Sequence, residues 1–360
     1  MKRFATSPTE VKLLLSVDYE IFGNGDGDIE CCVIKPAERI RAIVEDAGGV
    51  LTLFVDALEF AAMQEVDDLR YQADKVIAQL QAFVSAGHRV ELHLHPQWLN
   101  AHWEKQHWSL DHRKWRIGDL SRKDVHQSIQ YGMNWLLEVL RTTDPEYRIV
   151  AFRAGGWCIQ PSANTLKILN NEGIVIDSSV APSLRETAKE GWFDFSEAMT
   201  KPYWRVRDDV CKEDHEGSLW EVPIAVGNLA PIKHLLAIRG SQGGLAQGCR
   251  GKYVKGGALY SRYLNKLRKF LSLGKSMLDF CTLDEDTIRR VADYWVHAHS
   301  HSINTVLPVV AIGHTKNFTD KSAKTLRSLL DWGVQNEVVF TDYFTLLDAI
   351  YDSERNNKNG

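Results

Sequence analysis

Two apolar runs of this chain each lead into a pair of polar residues at positions i and i+2. One run leads into Asp18 and Glu20, and the other leads into His93 and His95, directly before a proline. In an extended strand, residues i and i+2 point to the same side, so each pair presents two polar groups on one face. The first run is almost entirely apolar, which is typical of a strand buried on both faces of a parallel sheet. The sequence therefore predicts parallel strands with carboxylates and imidazoles at their ends.

Two later runs end in a similar way. Residues 147–152 lead into Arg153 and a Gly-Gly turn, and residues 307–313 lead into His314. In parallel α/β sheets and barrels the C-terminal strand ends meet at one edge, where functional side chains collect. We therefore expect Arg153 and His314 to lie beside the carboxylate and imidazole pairs.

Carboxylates and imidazoles are preferred ligands of zinc and similar divalent ions. One carboxylate of the pair Asp18 and Glu20 can bind such an ion while the other accepts a proton from water. Taken singly, each motif also has an ordinary interpretation, as a capping acid or as imidazoles bonded to the backbone. Four such strand ends in one chain favour a single active site.

In their order along the chain, these motifs resemble those of the NodB-like polysaccharide deacetylases, a carbohydrate esterase family. The resemblance covers about residues 10–345, and the versions Leu-His-Leu-His-Pro-Gln-Trp and Gly-His-Thr-Lys-Asn are most like the branch found in O-antigen and surface-polysaccharide gene clusters. It implies a distorted (β/α)7 barrel, with a doubly wound sheet as the structural alternative. The matching segments are 16–20, 51–55, 87–93, 152–156, 173–179, 220–224 and 312–314.

The resemblance implies a hydrolase that removes an N-acetyl or O-acetyl group from a sugar during surface-polysaccharide assembly. It implies one divalent metal ion, zinc first, with cobalt, nickel or manganese as alternatives. The metal ligands it implies are Glu20, His93 and His95. The catalytic residues it implies are Asp18, Arg153, Asp177 and His314. The backbone amide of Gly156 would stabilise the oxyanion.

The same resemblance implies a division of roles. Asp18 would be the general base, held ionised by Arg153, and His314 would protonate the departing amine. Asp177 would orient His314 and keep it charged. The opposite assignment, with Asp18 as the metal ligand and Glu20 as the general base, stays open.

One departure concerns the second metal histidine, which the family places four residues after the first. Gln97 occupies that position here. His95 is the available substitute, and ligation by the amide of Gln97 or a water-filled position is the alternative.

Composition and charge limit the classes of protein to which this chain can belong. The net charge of −4 over 360 residues argues against a general nucleic-acid binder, and no stretch approaches the length of a membrane span. The N-terminus lacks the apolar segment of a secretory signal. The six cysteines contain no Cys-x-x-Cys motif. We interpret them as free thiols and expect a cytoplasmic protein, with peripheral contact at the inner membrane face as an option.

Alternating strand and helix patterns predict one domain over residues 1–352 and a polar tail over 353–360. Residues 230–278 form an insertion that is basic and contains no Asp or Glu. Such an insertion suits a pyrophosphate group, so the acetylated sugar is expected to be nucleotide-linked or lipid-linked.

Two other functions remain open at this point. The missing histidine at position 97 is compatible with a non-catalytic protein that binds carbohydrate or a nucleotide-sugar. Hydrolysis of a small cyclic amide is a further alternative, since related barrels are used for it. The tryptophans at 98, 103, 108, 115 and 157 suit sugar stacking, and core packing explains them equally well.

Overall fold

Strands and helices alternate along the chain, as the hydrophobic pattern predicts. The structure, a computed structural model, describes residues 10–186, 192–228, 244–251, 274–300 and 306–359. The strands are β1 (Glu10–Tyr19), β2 (Leu51–Asp56), β3 (Arg89–Leu94), β4 (His102–Glu104), β5 (His107–Ser109), β6 (Ala151–Ala154), β7 (Ile176–Asp177), β8 (Arg185–Glu186), β9 (Phe193–Asp194), β10 (Trp204–Val206), β11 (Leu219–Glu221), β12 (Val226–Asn228), β13 (Lys275–Met277), β14 (Val306–His314) and β15 (Val339–Phe340).

The α-helices lie between the strands and bury one apolar face each. Their bounds are Lys35–Asp46, Ala57–Gln64, Asp67–Ser85, Arg122–Arg141, Ala163–Asn171, Glu285–His299, Asp320–Gln335 and Tyr343–Asn359. Short helical turns span Glu30–Ile34, Pro96–Trp98, His112–Lys114, Ile117–Asp119, Gly155–Trp157 and Thr315–Asn317. None of the helices in the described ranges is long and apolar enough to cross a membrane.

The main sheet has the strand order β10-β11-β7-β6-β3-β2-β1-β14, and β15 pairs with the first half of β1. From β11 to β14 every pairing is parallel, and only β10 is antiparallel to its neighbour. The sheet curls, because the segment after β11 bridges back to β14 through Ile224 and Val310. This is the α/β barrel architecture that the motif order predicts.

The register of the parallel strands brings the candidate residues together. Asp18 pairs with His314 across β1 and β14. His93 pairs with Asp56 on one side and with Arg153 on the other. All five residues therefore lie at the C-terminal ends of neighbouring strands, at one edge of the sheet.

Three expectations about chain organisation meet the structure differently. The last helix continues through the predicted polar tail to Asn359, and Nε of Arg205 donates to Oε1 of Glu354 at 3.0 Å. The cysteines are not all free, since Cys32 and Cys249 form a disulfide. The argument from free thiols to a reducing compartment therefore loses its basis. The basic insertion at 230–278 lies mostly outside the described residues.

Candidate metal and catalytic site

Three buried side chains converge at the ends of β1 and β3. Oε2 of Glu20 lies 3.5 Å from Nε2 of His93 and 2.9 Å from Nδ1 of His95. All three side chains are almost completely buried. Their ligand atoms lie within 4.8 Å of one another, so one ion could contact all three.

The other nitrogen of His93 defines its tautomer. Nδ1 lies 2.9 Å from the backbone carbonyl oxygen of Arg153, which can only accept a hydrogen bond. Nδ1 therefore donates this hydrogen bond, and Nε2 is the nitrogen that faces Glu20. Metal-binding histidines are held in the same way, with the second nitrogen donating to a carbonyl or carboxylate.

His95 is held by a carboxylate that the sequence analysis did not single out. Asp56 accepts hydrogen bonds from the backbone N–H of His95 at 3.3 Å and from Nδ1 at 3.1 Å. Burial by itself lowers the pKa of His95, but the carboxylates of Glu20 and Asp56 more than offset this effect and raise the pKa to about 10.

Glu20 also binds a lysine that had no assigned role. Nζ of Lys316 lies 2.6 Å from Oε1 of Glu20 and donates to the backbone carbonyl of Ile21 at 2.8 Å. Burial raises the pKa of Glu20, whereas the nearby charges of Lys316 and His95 hold it well below its usual range. Glu20 is therefore a carboxylate with one oxygen bound by Lys316 and the other turned to the histidines.

These residues fit a divalent ion. Nε2 of His93 is buried and makes no hydrogen bond of good geometry with the described residues, and Oε2 of Glu20 lies between it and Nδ1 of His95. Buried polar atoms that are poorly paired are costly, so this convergence fits an ion held between the three side chains. Oε1 of Gln97 is likewise buried and unpaired, while its amide N–H binds the carbonyl of Gly23 at 3.2 Å. The nitrogen and oxygen donors match the preferences of zinc-like ions.

Asp18 lies next to this cluster and is held by Arg153. Nη1 of Arg153 donates to Oδ1 of Asp18 at 2.8 Å, and Arg153 has no exposed surface. Burial raises the pKa of Asp18, but Arg153, together with the nearby histidines, brings the pKa below its usual value. Asp18 is therefore ionised at neutral pH, as expected of a general base.

His314 faces the second oxygen of the same carboxylate. Its Nε2 lies 3.4 Å from Oδ2 of Asp18, and its side chain keeps 18% of its surface exposed. A second carboxylate, Asp279, interacts electrostatically with His314: burial raises the pKa of Asp279, and His314 counteracts this rise. The neighbouring Cys281 accepts a hydrogen bond from the backbone N–H of His314 at 3.4 Å.

Asp177 does not take the position that the resemblance implies. It accepts a hydrogen bond from the hydroxyl of Ser179 at 2.8 Å and shares another with Glu221. Burial is the largest cause that raises the pKa values of both carboxyl groups. Ser179 also accepts the backbone N–H of Ala154, next to Arg153. Within the described residues Asp177 therefore supports the β6 end, while Asp18 and Asp279 are the carboxylates whose charges act on His314.

The turn after Arg153 brings backbone close to the histidines. A Cβ atom on Gly155 would lie 2.3 Å from Cδ2 of His95, so only glycine fits there. Gly156 has φ of 57°, in the left-handed region that glycine adopts without strain. The amide of Gly156 thus belongs to a turn packed against a candidate metal ligand.

Two tryptophans flank the site. Trp115 packs near His95 at 5.7 Å between ring centroids, and Trp157 packs edge-on near His314 at 6.0 Å. The indole N–H groups of both are buried and have no acceptor among the described residues. Both therefore offer unused donors beside the candidate ligands.

Four residues of the site were not predicted: Asp56, Lys316, Asp279 and Trp115 as a neighbour of His95. Asp56 and Lys316 carried a signal, because Asp56 ends the apolar run of β2 and Lys316 lies two residues after the end of the apolar strand β14. Asp279 lies two residues after β13, which has no apolar run, so no local pattern marks it.

Comparison with known proteins finds distant similarity. No protein family model matches the chain, and no curated protein matches it. A solved protein described as a polysaccharide deacetylase, from Mycobacterium smegmatis, is 12% identical over 97% of this chain and 93% of its own, with a TM-score of 0.49. Another of that description, from Pseudomonas aeruginosa PAO1, is 11% identical over 93% and 89%, with a TM-score of 0.47. An allantoinase is 11% identical over 97% and 92%, with a TM-score of 0.45.

Proposed function

We propose that this protein is a metal-dependent hydrolase that removes an acetyl group from the amide nitrogen of a sugar. The observation that carries the proposal is the convergence of Glu20, His93 and His95, whose ligand atoms lie within 4.8 Å of one another beside a carboxylate held between Arg153 and His314. The place of this reaction in surface-polysaccharide assembly rests on the resemblance of the histidine motifs alone.

Glu20, His93 and His95 would hold the ion. A divalent ion at such a site polarises a carbonyl oxygen and lowers the pKa of water toward neutrality. An amide needs this help, since it is a poor electrophile and water at neutral pH is a poor nucleophile.

The residues around the ligands would move the protons. Asp18, ionised through its contact with Arg153, would accept the proton of the attacking water. Water adds to the carbonyl carbon, the C–N bond breaks, and acetate and the sugar amine are released. His314, which retains some exposure, would donate the proton that the departing nitrogen requires. An O-acetyl ester would be cleaved by the same groups.

The surroundings suit a sugar. The indoles of Trp115 and Trp157 provide apolar faces together with N–H donors that lack acceptors. The backbone amide of Gly156 would stabilise the oxyanion that forms when water adds.

The proposal is tested with purified protein that is stripped of metal and reloaded separately with zinc, cobalt, nickel or manganese. Acetate release is measured from N-acetylated sugars, both free and nucleotide-linked. We expect one ion per chain and metal-dependent acetate release, with both lost in Glu20→Ala and His93→Ala. His126→Ala is the matched control, because His126 is half exposed and lies on a helix outside the site. Full metal content in His93→Ala would overturn the proposed site.

A second function is favoured by one observation. Lys316 already places a positive charge 2.6 Å from Oε1 of Glu20. A protein that binds sugar without hydrolysing it could use this internal ion pair in place of a metal ion. Sugar binding by a preparation that takes up no metal would support this second function over the first.

A further inference from the structure

A disulfide joins the basic insertion to the barrel close to the candidate site. Cys249, in the insertion predicted at 230–278, pairs with Cys32, which lies in the helical turn Glu30–Ile34. The two cysteines are 217 positions apart in the chain. Because Cys249 belongs to the described range 244–251, the disulfide attaches this segment covalently to the turn. The proposed hydrolysis makes no use of this bond.

Segment 244–251 is also attached to the backbone of Lys316. The backbone N–H of Ala246 donates to the carbonyl of Lys316 at 2.9 Å. The backbone N–H of Cys249 donates in turn to the carbonyl of Ala246 at 2.9 Å. The disulfide therefore lies one hydrogen-bonded turn away from Lys316.

The same segment packs on a second residue near Glu20. A Cβ atom on Gly251 would overlap the ring of Phe22, so the backbone of Gly251 lies directly on that ring. Nζ of Lys316 lies 5.6 Å from the centre of the same ring and binds Oε1 of Glu20. Both contacts of segment 244–251 therefore reach residues that touch or adjoin a candidate metal ligand. Packed contacts of this kind can carry a local change to a neighbouring site.

The disulfide lies just below the surface. Cys249 keeps 7% of its surface exposed and Cys32 has none. Around Cys249, the neighbouring residues Gln247, Gly248 and Arg250 are exposed. A thiolate from solution therefore reaches the sulfur of Cys249 in preference to that of Cys32.

We infer that this disulfide is a redox switch, at which a dithiol reductant releases segment 244–251 from Lys316. A thiolate of the dithiol attacks Sγ of Cys249, the S–S bond breaks, and Sγ of Cys32 leaves as a thiolate that takes up a proton. The second thiol of the reductant loses its proton and attacks the mixed disulfide. This step frees Cys249 and leaves the reductant as a cyclic disulfide. Two electrons thus pass from the dithiol to the protein, and an oxidised dithiol reverses both steps.

The release would reach the candidate site through Lys316. Backbone hydrogen bonds of a short, largely exposed segment open easily once no other constraint holds them. The backbone of Lys316 then loses its partner Ala246, and Nζ of Lys316 holds Glu20 less firmly. Partners that orient a metal ligand contribute about 10–100-fold to metal affinity, so reduction should weaken ion binding. This last step rests on the proposed function, whereas the release of the segment does not.

Cys31 decides how the switch is tested. It is a free thiol, and a Cβ atom on Gly248 would lie 3.1 Å from its Sγ, so Cys31 could replace Cys32 as the partner of Cys249 in Cys32→Ser. In the native protein a hydrogen bond to Asp28 raises the pKa of the Cys31 thiol and makes it a poor nucleophile. The double variant Cys32→Ser, Cys249→Ser removes both partners and adds no thiol that binds zinc. Cys31→Ser is the matched control, because it removes the neighbouring thiol and keeps the disulfide.

The test is hydrogen exchange with mass spectrometry on the full-length protein, oxidised and after incubation with dithiothreitol. We expect exchange in peptides that cover 244–251 to rise about tenfold or more on reduction, while β1 and β3 stay protected. The double variant should exchange as fast as the reduced protein without any reductant. Its Kd for zinc, measured without reductant in competition with a chelator, should rise about tenfold or more. Cys31→Ser should match the oxidised wild type in both measurements.

Other outcomes separate this inference from the proposed function. Unchanged exchange at 244–251 in the reduced protein and in the double variant would overturn the switch and leave the hydrolase proposal standing. Faster exchange with an unchanged Kd for zinc would overturn the link to Glu20. Faster exchange in a protein that takes up no zinc in either state would support the switch and remove the hydrolase. Equal acceleration in Cys31→Ser, or loss of protection in β1 and β3 as well, would also overturn the switch.

Discussion

Arg153 and Asp18 are 135 residues apart in the chain and form a buried ion pair at 2.8 Å. The remaining donors of Arg153 reach Ser16 and Tyr343 and the backbone carbonyl of Ser178, so the guanidinium is held from several sides. The pair joins two non-adjacent strands of the barrel. It places an ionised carboxylate next to the candidate metal ligands.

The first prediction concerns this pair. Arg153→Lys keeps the positive charge but loses the planar fork that contacts four groups at once. We expect turnover to fall by about 10²-fold or more while metal content stays at one ion per chain. Elemental analysis and acetate release check both quantities on the same sample. Loss of metal in Arg153→Lys would show that Arg153 supports the ligands instead of the base.

The second prediction assigns the general acid. His314→Ala should lower turnover by about 10²–10⁴-fold, because such a group typically contributes that much to proton transfer. Metal content should not change. His126→Ala serves as the histidine control. If His314→Ala retains wild-type turnover on an N-acetyl sugar, the assignment is wrong.

The third prediction distinguishes the role of Asp279 from the role of Asp177. Asp279 bridges to Ile312 of β14 and interacts electrostatically with His314, so Asp279→Asn should reduce turnover without a large change in unfolding free energy. Asp177 instead supports Ser179 and Glu221, so Asp177→Ala should destabilise the fold by about 1–3 kcal/mol, the cost of unpaired buried polar groups. Urea unfolding and kinetics of the two variants distinguish these roles. The reverse pattern would restore the role that the resemblance implies for Asp177.

The fourth prediction concerns the carboxylate behind His95. Partners that orient a ligating histidine typically contribute 10–100-fold to metal affinity. Asp56→Ala should therefore raise the Kd for zinc by about that factor in competition with a chelator. Asp46→Ala, an exposed aspartate at a helix end, is the control. An unchanged Kd in Asp56→Ala would exclude His95 as a ligand held by Asp56.

The fifth prediction is a pH dependence of stability far from the site. Burial of His299 lowers its pKa to about 4, below the value near 6.5 in an unfolded chain. The unfolded state then binds the proton more readily, so stability is lost as pH falls from about 6.5 to 4. His299→Phe should remove on the order of 2 kcal/mol of this loss. Urea midpoints of both proteins at pH 7 and pH 4.5 provide the test; parallel losses in both would contradict it.

Much of the fold could be predicted from the sequence. The hydrophobic periods of strands and helices are local properties, so the alternation of β1, β2, β3, β6 and β14 with helices is visible in the residues themselves. The same is true of the paired side chains, since alternation along a strand decides that Asp18 and Glu20, or His93 and His95, share a face. The parallel architecture follows from strands that are buried on both faces.

The partners of these residues could be decided only by the tertiary structure. Asp56 reaches His95, Lys316 reaches Glu20, and Asp279 bridges to β14 near His314 because strand order and loop packing bring distant segments together. The disulfide between Cys32 and Cys249 has the same origin, since the two cysteines are 217 positions apart in the chain. The periodicity of the sequence indicates which face of a strand or helix a side chain lies on. Contacts between residues far apart in the chain depend instead on how the strands pair to form the barrel. The sequence by itself therefore determined the strand ends and their chemistry, and the closed barrel decided which groups hold them.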